Sequence, residues 1–95
     1  MPTPARRVAF TILLRVETQS SYATELLHSP LTADLSAQDA ALATELVLGT
    51  LRRQATLDFI AQRFTQKKWA ALDPDVRVAL RLGLYQLRFL KRIPS

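Results

Sequence analysis

The stretch from Leu72 to Pro94, LDPDVRVALRLGLYQLRFLKRIP, constrains the fold more than any other part of the chain. It reads as one helix: Asp73 stands at the N-cap, Pro74 supplies a first helical residue with φ already set, and Asp75 adds a negative charge where the first turn's unpaired N–H groups point. At about 100° per residue, Arg77, Arg81, Arg88 and Arg92 fall within a wedge of about 60°. Val76, Leu80, Gly83, Leu87 and Leu90 form a second stripe, and Val78, Leu82, Tyr85 and Phe89 form a third on a different side. A helix with two apolar stripes must be covered on two sides. Leaving the third stripe wet would cost roughly 1.5 to 3 kcal/mol for each large side chain, or roughly 6 to 12 kcal/mol for all four. That rivals the whole stability of a small domain, about 5 to 15 kcal/mol. The cover is expected from the N-terminal half, from a second copy, or from residues beyond Ser95.

The remainder of the chain is also punctuated as helices. The five prolines, Pro2, Pro4, Pro30, Pro74 and Pro94, sit at the ends of periodic segments. A first helix is expected from Pro4 to Thr18, with Ala5, Val8, Ala9, Ile12 and Val16 on one face and Arg6 and Arg7 at its start. Arginine there opposes the helix dipole, which points either to a use for the two charges or to simple solubilisation of the N-terminus. A short helix from Tyr22 to His28 stops before Pro30. Ser36 opens a long helix from Ala37 to about Arg53 with a capping-box-like S-A-Q-D, and Gly49 within it implies close packing. A bend is expected across Gln54 to Thr56, after which Leu57, Ile60, Ala61 and Phe64 begin a fresh apolar face. Trp69 is expected to plug the core beside the last helix; base stacking is the alternative. The fold class is all-α, a five-helix bundle occupying residues 3–95 as one domain.

Composition excludes several kinds of chemistry. The chain has no Cys and a single histidine, His28, so thiolate metal sites, disulfides and Cys- or His-based nucleophile pairs lack material. A reducing cytoplasm is the default location. The VAFTILL stretch is too short to span a membrane. Asp73 and Asp75 are explained as helix-start residues and not as a catalytic pair. No Gly-rich loop follows a strand, so no cofactor cradle is expected in this chain. Residues 1–51 carry three basic and five acidic side chains, whereas residues 52–95 carry ten and three. This asymmetry favours a polyanionic partner, nucleic acid ahead of membrane; a solvated charged face is the alternative.

The segment ELVLGTLRRQATLDFIAQRF, followed by the final helix and preceded by PARRVAFTILLRV, resembles the NusB-like domain. Within that group GTLR, LD, RLGLYQL and RIP are most similar to the N-terminal domain of RsmB (Sun/Fmu)-type ribosomal RNA cytosine-5 methyltransferases. The resemblance implies an RNA-binding accessory domain, non-catalytic by itself, with S-adenosylmethionine held in a separate catalytic domain. It also admits a stand-alone transcription antitermination factor, and a protein-interaction module remains a further reading. By position it implicates Arg6 and Arg7 in RNA contact, and Arg52, Arg77, Arg81, Arg88 and Arg92 join them as candidate RNA-binding residues. Such domains continue past the RIP motif into further helices. The chain is therefore expected to lack the family's C-terminal helices, and to dimerise through Val78, Leu82, Tyr85 and Phe89 if nothing else covers them. Two structural alternatives stay open: an Arg52–Asp58 ion pair, and pairing of the arginine stripe with acidic residues of the first half such as Glu45 or Asp39.

Overall fold

A computed structural model describes residues 3–90. Local capping sets where the two long early helices begin. Thr3 Oγ1 accepts from the Arg6 amide at 3.3 Å ahead of Pro4, and Ser36 Oγ accepts from the Asp39 amide at 3.0 Å. These caps open α1 (Pro4–Gln19) and α3 (Ala37–Arg52). Between them lie the short α2 (Ala23–Leu27) and a tight turn at Pro30–Thr32. The expected bend falls one residue earlier than the sequence suggested. Arg53 alone leaves the helical path, at φ −109° and ψ 19°, and separates α3 from α4 (Gln54–Ala61).

The last helix, α5 (Pro74–Arg88), starts where expected but stops short of Pro94, with Phe89 as its cap. Asp73 has the extended backbone of an N-cap, yet its side chain makes no capping bond. Its carbonyl instead accepts from the amides of Val76 and Arg77 at 3.0 and 3.1 Å, and the Asp75 carboxylate takes the Val76 amide at 2.9 Å.

The core joins four helices. Ala9, Ile12 and Leu13 come from α1, Leu46 and Val47 from α3, Leu57 from α4, and Val78, Leu82 and Tyr85 from α5. Ala5, Ala9 and Ala43 are fully buried, and their small side chains let α1 and α3 approach closely.

This arrangement corrects the expected dimer surface. Val78, Leu82 and Tyr85 are only 1%, 6% and 3% exposed, because α1, α3 and α4 already cover them, and Phe89 lies beneath the Arg53 guanidinium. They are not available to a second copy. The stripe left largely open is the other one: Val76 is 42% exposed and Leu87 81% exposed, with Gly83 also at the surface, while Leu80 is partly buried and Leu90 packs against the core.

Candidate nucleic-acid interface

Helix α5 runs antiparallel to α1, since Glu17 meets its first half and Arg6 meets Gln86 near its end. That geometry divides the arginine stripe. Arg77 donates from Nη2 and Nε to Glu17 Oε2 at 2.9 and 3.2 Å, and its Nη1 donates to the Leu72 carbonyl. Arg81 donates from Nη1 to Glu17 Oε1 at 2.9 Å, and from Nε and Nη2 to the two Asp58 oxygens at 2.6 and 3.1 Å. Its side chain is 7% exposed. Half-buried Trp69 stands beside it, 5.7 Å from the guanidinium to the ring centroid, at the edge of the core and not within it.

Arg77 and Arg81 therefore clasp α5 to α1 and α4, and the structure removes them from a free basic ridge. The carboxylates involved are neither Glu45 nor Asp39, and Asp58 pairs with Arg81 and not with Arg52. Glu17 left one signal in the sequence: a negative charge in the last turn of a helix opposes the dipole and implies another use.

Burial raises the pKa of Glu17, but the hydrogen bonds and charges of Arg81 and Arg77 outweigh it, so the carboxyl titrates below its ordinary value. A depressed carboxylate contributes stability that is present above its unfolded pKa and lost as pH falls through the folded one. Acidification below about pH 4.5 is thus expected to loosen the α1–α5 contact. Thermal unfolding followed against pH should show a steeper acid loss for the native chain than for Glu17→Gln.

The remaining candidate residues gather around the end of α5. Arg6 Nε donates to Gln86 Oε1 at 2.5 Å, and its Nη1 donates to Thr3 Oγ1 at 3.2 Å. Arg7 is exposed. Both line a groove of about 310 Å³ whose floor is Phe10, Ala79, Leu82 and Gly83. Arg52 and Arg88 are exposed in the last turns of α3 and α5, where their charges also suit the helix dipoles. Arg53 lies over Phe89, its Cζ 4.2 Å from the ring centroid, and so brings the end of α3 against the end of α5. Arg92 lies outside the described residues. Among the described residues none of Arg6, Arg7, Arg52, Arg53 and Arg88 is ion-paired to a carboxylate. Arg53, expected only as the end of the long helix, is not among the candidate RNA-binding residues that the sequence offers; a residue at a helix break gives no hint of which ring it will cover.

The described residues contain no group of three His, Cys, Asp or Glu able to hold a metal, and no helix long and apolar enough to cross a membrane. There is no strand-to-helix Gly-rich loop among them, Gly49 is packed against Tyr85, and Gly83 sits on the open face of α5. What this end of the bundle can do is attract and position phosphates.

Comparison with known families matches residues 3–95 to the NusB family. The chain is 38% identical over 92 residues to a probable ribosomal RNA small subunit methyltransferase B of Synechocystis, covering 96% of this chain and 21% of that protein. A second probable methyltransferase B, from Bacillus subtilis, is also 38% identical and covers 98% of this chain and 21% of its own length. The transcription antitermination protein NusB of Coxiella burnetii is 36% identical over 61 residues, 64% of this chain and 44% of that protein. The chain thus spans about a fifth of the methyltransferase relatives. No solved structure matches it.

Proposed function

From its membership of the NusB family, to which this chain belongs over residues 3–95, we propose that it is the RNA-binding, non-catalytic domain of a ribosomal RNA small subunit cytosine-5 methyltransferase. The observation that carries the reading is the cluster of Arg6, Arg7, Arg52 and Arg88 around the end of α5, without carboxylate partners among the described residues while Arg77 and Arg81 are neutralised. Four cations at one end of a small bundle concentrate positive potential where a polyanion can meet it. Backbone contacts of this kind position RNA without choosing its sequence. Methyl transfer, and the S-adenosylmethionine that supplies the methyl group, belong to a separate domain of the parent protein. The role places the protein in the cytoplasm with ribosomal RNA. The antitermination reading is less favoured, because the relative of that kind matches a shorter part of the chain.

Titrating labelled ribosomal RNA fragments at several salt concentrations tests the proposal. If the four arginines each meet a phosphate of a single strand, the logarithmic salt slope is expected near −2.8, an affinity loss of about fifty-fold between about 50 and 200 mM. Arg6→Ala with Arg7→Ala should reduce the slope by about 1.4, with helicity checked by circular dichroism. Unchanged affinity in the double variant would remove the α1 arginines. No salt-dependent binding at all would leave acidic protein surfaces as the partner.

A further inference from the structure

We propose that Arg53 is a stacking platform for an unpaired nucleobase, an inference that rests on the RNA-binding reading and adds base contact to it. The backbone of Arg53 is held at the junction of α3 and α4, where its amide donates to the Gly49 carbonyl at 3.1 Å and its own carbonyl accepts from the Leu57 amide at 2.9 Å. Its guanidinium is held as well. The Cζ sits 4.2 Å from the centroid of Phe89, and Phe89 in turn stacks on Tyr85 with centroids 5.8 Å apart and planes inclined by 30°. Tyr85 is buried, and its hydroxyl donates to Glu45 Oε2 at 2.5 Å. The result is a ladder of Tyr85, Phe89 and Arg53, buried at one end and exposed at the other.

Arginine is normally a mobile side chain, and here much of that freedom is already lost on the ring below it. No carboxylate among the described residues takes its charge. A flat, delocalised cation resting on an aromatic ring offers its remaining face to another flat ring, and guanidinium planes serve as platforms for unstacked bases. A carboxylate or phosphate would use the edge N–H donors and leave the open face of the plane uncovered. Arg52 beside it and Arg88 on the same end of α5 are placed to hold the flanking phosphates.

The test compares a single-stranded oligouridylate with an abasic oligoribonucleotide of the same length. Arg53→Lys keeps the charge and removes the plane. It is expected to weaken oligouridylate binding about tenfold, leave the abasic oligomer unaffected, and leave the salt slope of both unchanged. Phe89→Leu, with its melting temperature measured alongside, should weaken base-dependent binding in the same way while Arg53 is intact. If Arg53→Lys binds oligouridylate within about twofold of the native chain, or weakens both oligomers equally, the platform is overturned and Arg53 is left to a phosphate or a protein carboxylate. Should the native chain bind neither oligomer, the RNA-binding reading itself fails and takes the platform with it.

Discussion

Arg81→Leu is expected to destabilise the domain by about 3 kcal/mol, which for a chain of this size lowers the melting temperature by roughly 15 °C. The substitution removes the group that neutralises both Glu17 and Asp58, leaving Asp58 with no cation and Glu17 with Arg77 alone. Removing one partner of a buried pair ordinarily costs about 3 to 5 kcal/mol, and the residual exposure of the two acids, 20% each, argues for the lower end. Arg77 stays on Glu17 and softens the loss at that carboxylate only. Replacing Arg77, Arg81, Glu17 and Asp58 together by apolar residues of similar size should recover most of the loss, because the penalty lies in the uncompensated charge and Arg77 would otherwise be left without Glu17. Thermal denaturation by circular dichroism reads both results. A shift below about 3 °C for the single variant would mean that the clasp contributes little.

The two glycines are expected to respond to alanine with opposite signs. A Cβ on Gly49 would lie 2.1 Å from the Tyr85 oxygen, 2.3 Å from Cζ and 2.7 Å from Cε1. Tyr85 cannot step aside cheaply, since its ring is 3% exposed and its hydroxyl is bonded to Glu45. Overpacking of this severity costs about 3 kcal/mol, and the better helix propensity of alanine returns about 1, so Gly49→Ala should destabilise by about 2 kcal/mol. Gly83 has no atom within 4 Å of the same position. Gly83→Ala should therefore stabilise α5 by up to about 1 kcal/mol. Denaturant unfolding of the two variants gives the comparison directly, and a destabilised Gly83→Ala would show that this face of α5 is not open as described.

Much of the helical framework is legible in the residues. Pro4, Ser36 and Pro74 mark helix starts that do not depend on what the helices touch, and the isolated Gly49 correctly signals close packing, against Tyr85 as it turns out. The candidate site is less legible. Arg77, Arg81 and Arg88 of α5 share one face by periodicity, yet the neighbours of the first two are Glu17, 60 residues from Arg77 in the chain, and Asp58, 23 residues from Arg81. The misplaced charge of Glu17 hints at a use without naming its partner, and the other candidates, Glu45 and Asp39, are no worse in charge. Glu45 in fact serves Tyr85. Likewise Arg52 and Arg53 are twins in the sequence, and only the break at Arg53 and the position of Phe89 give one of them a ring to rest on.

From the order of its residues alone, the chain determined an all-helical fold, the places where most of its helices begin, a basic second half, and a side-chain inventory with no cysteine and one histidine. These follow from backbone preferences, hydrophobic period and side-chain inventory, which act within a turn or two of the chain. Tertiary structure decided which apolar stripe of α5 became core and which stayed at the surface, and which arginines were spent on internal carboxylates. Both outcomes turn on how α1 and α4 cross α5. Two stripes of similar hydrophobicity, or two arginines of identical charge, differ only in what lies opposite them once the helices have packed.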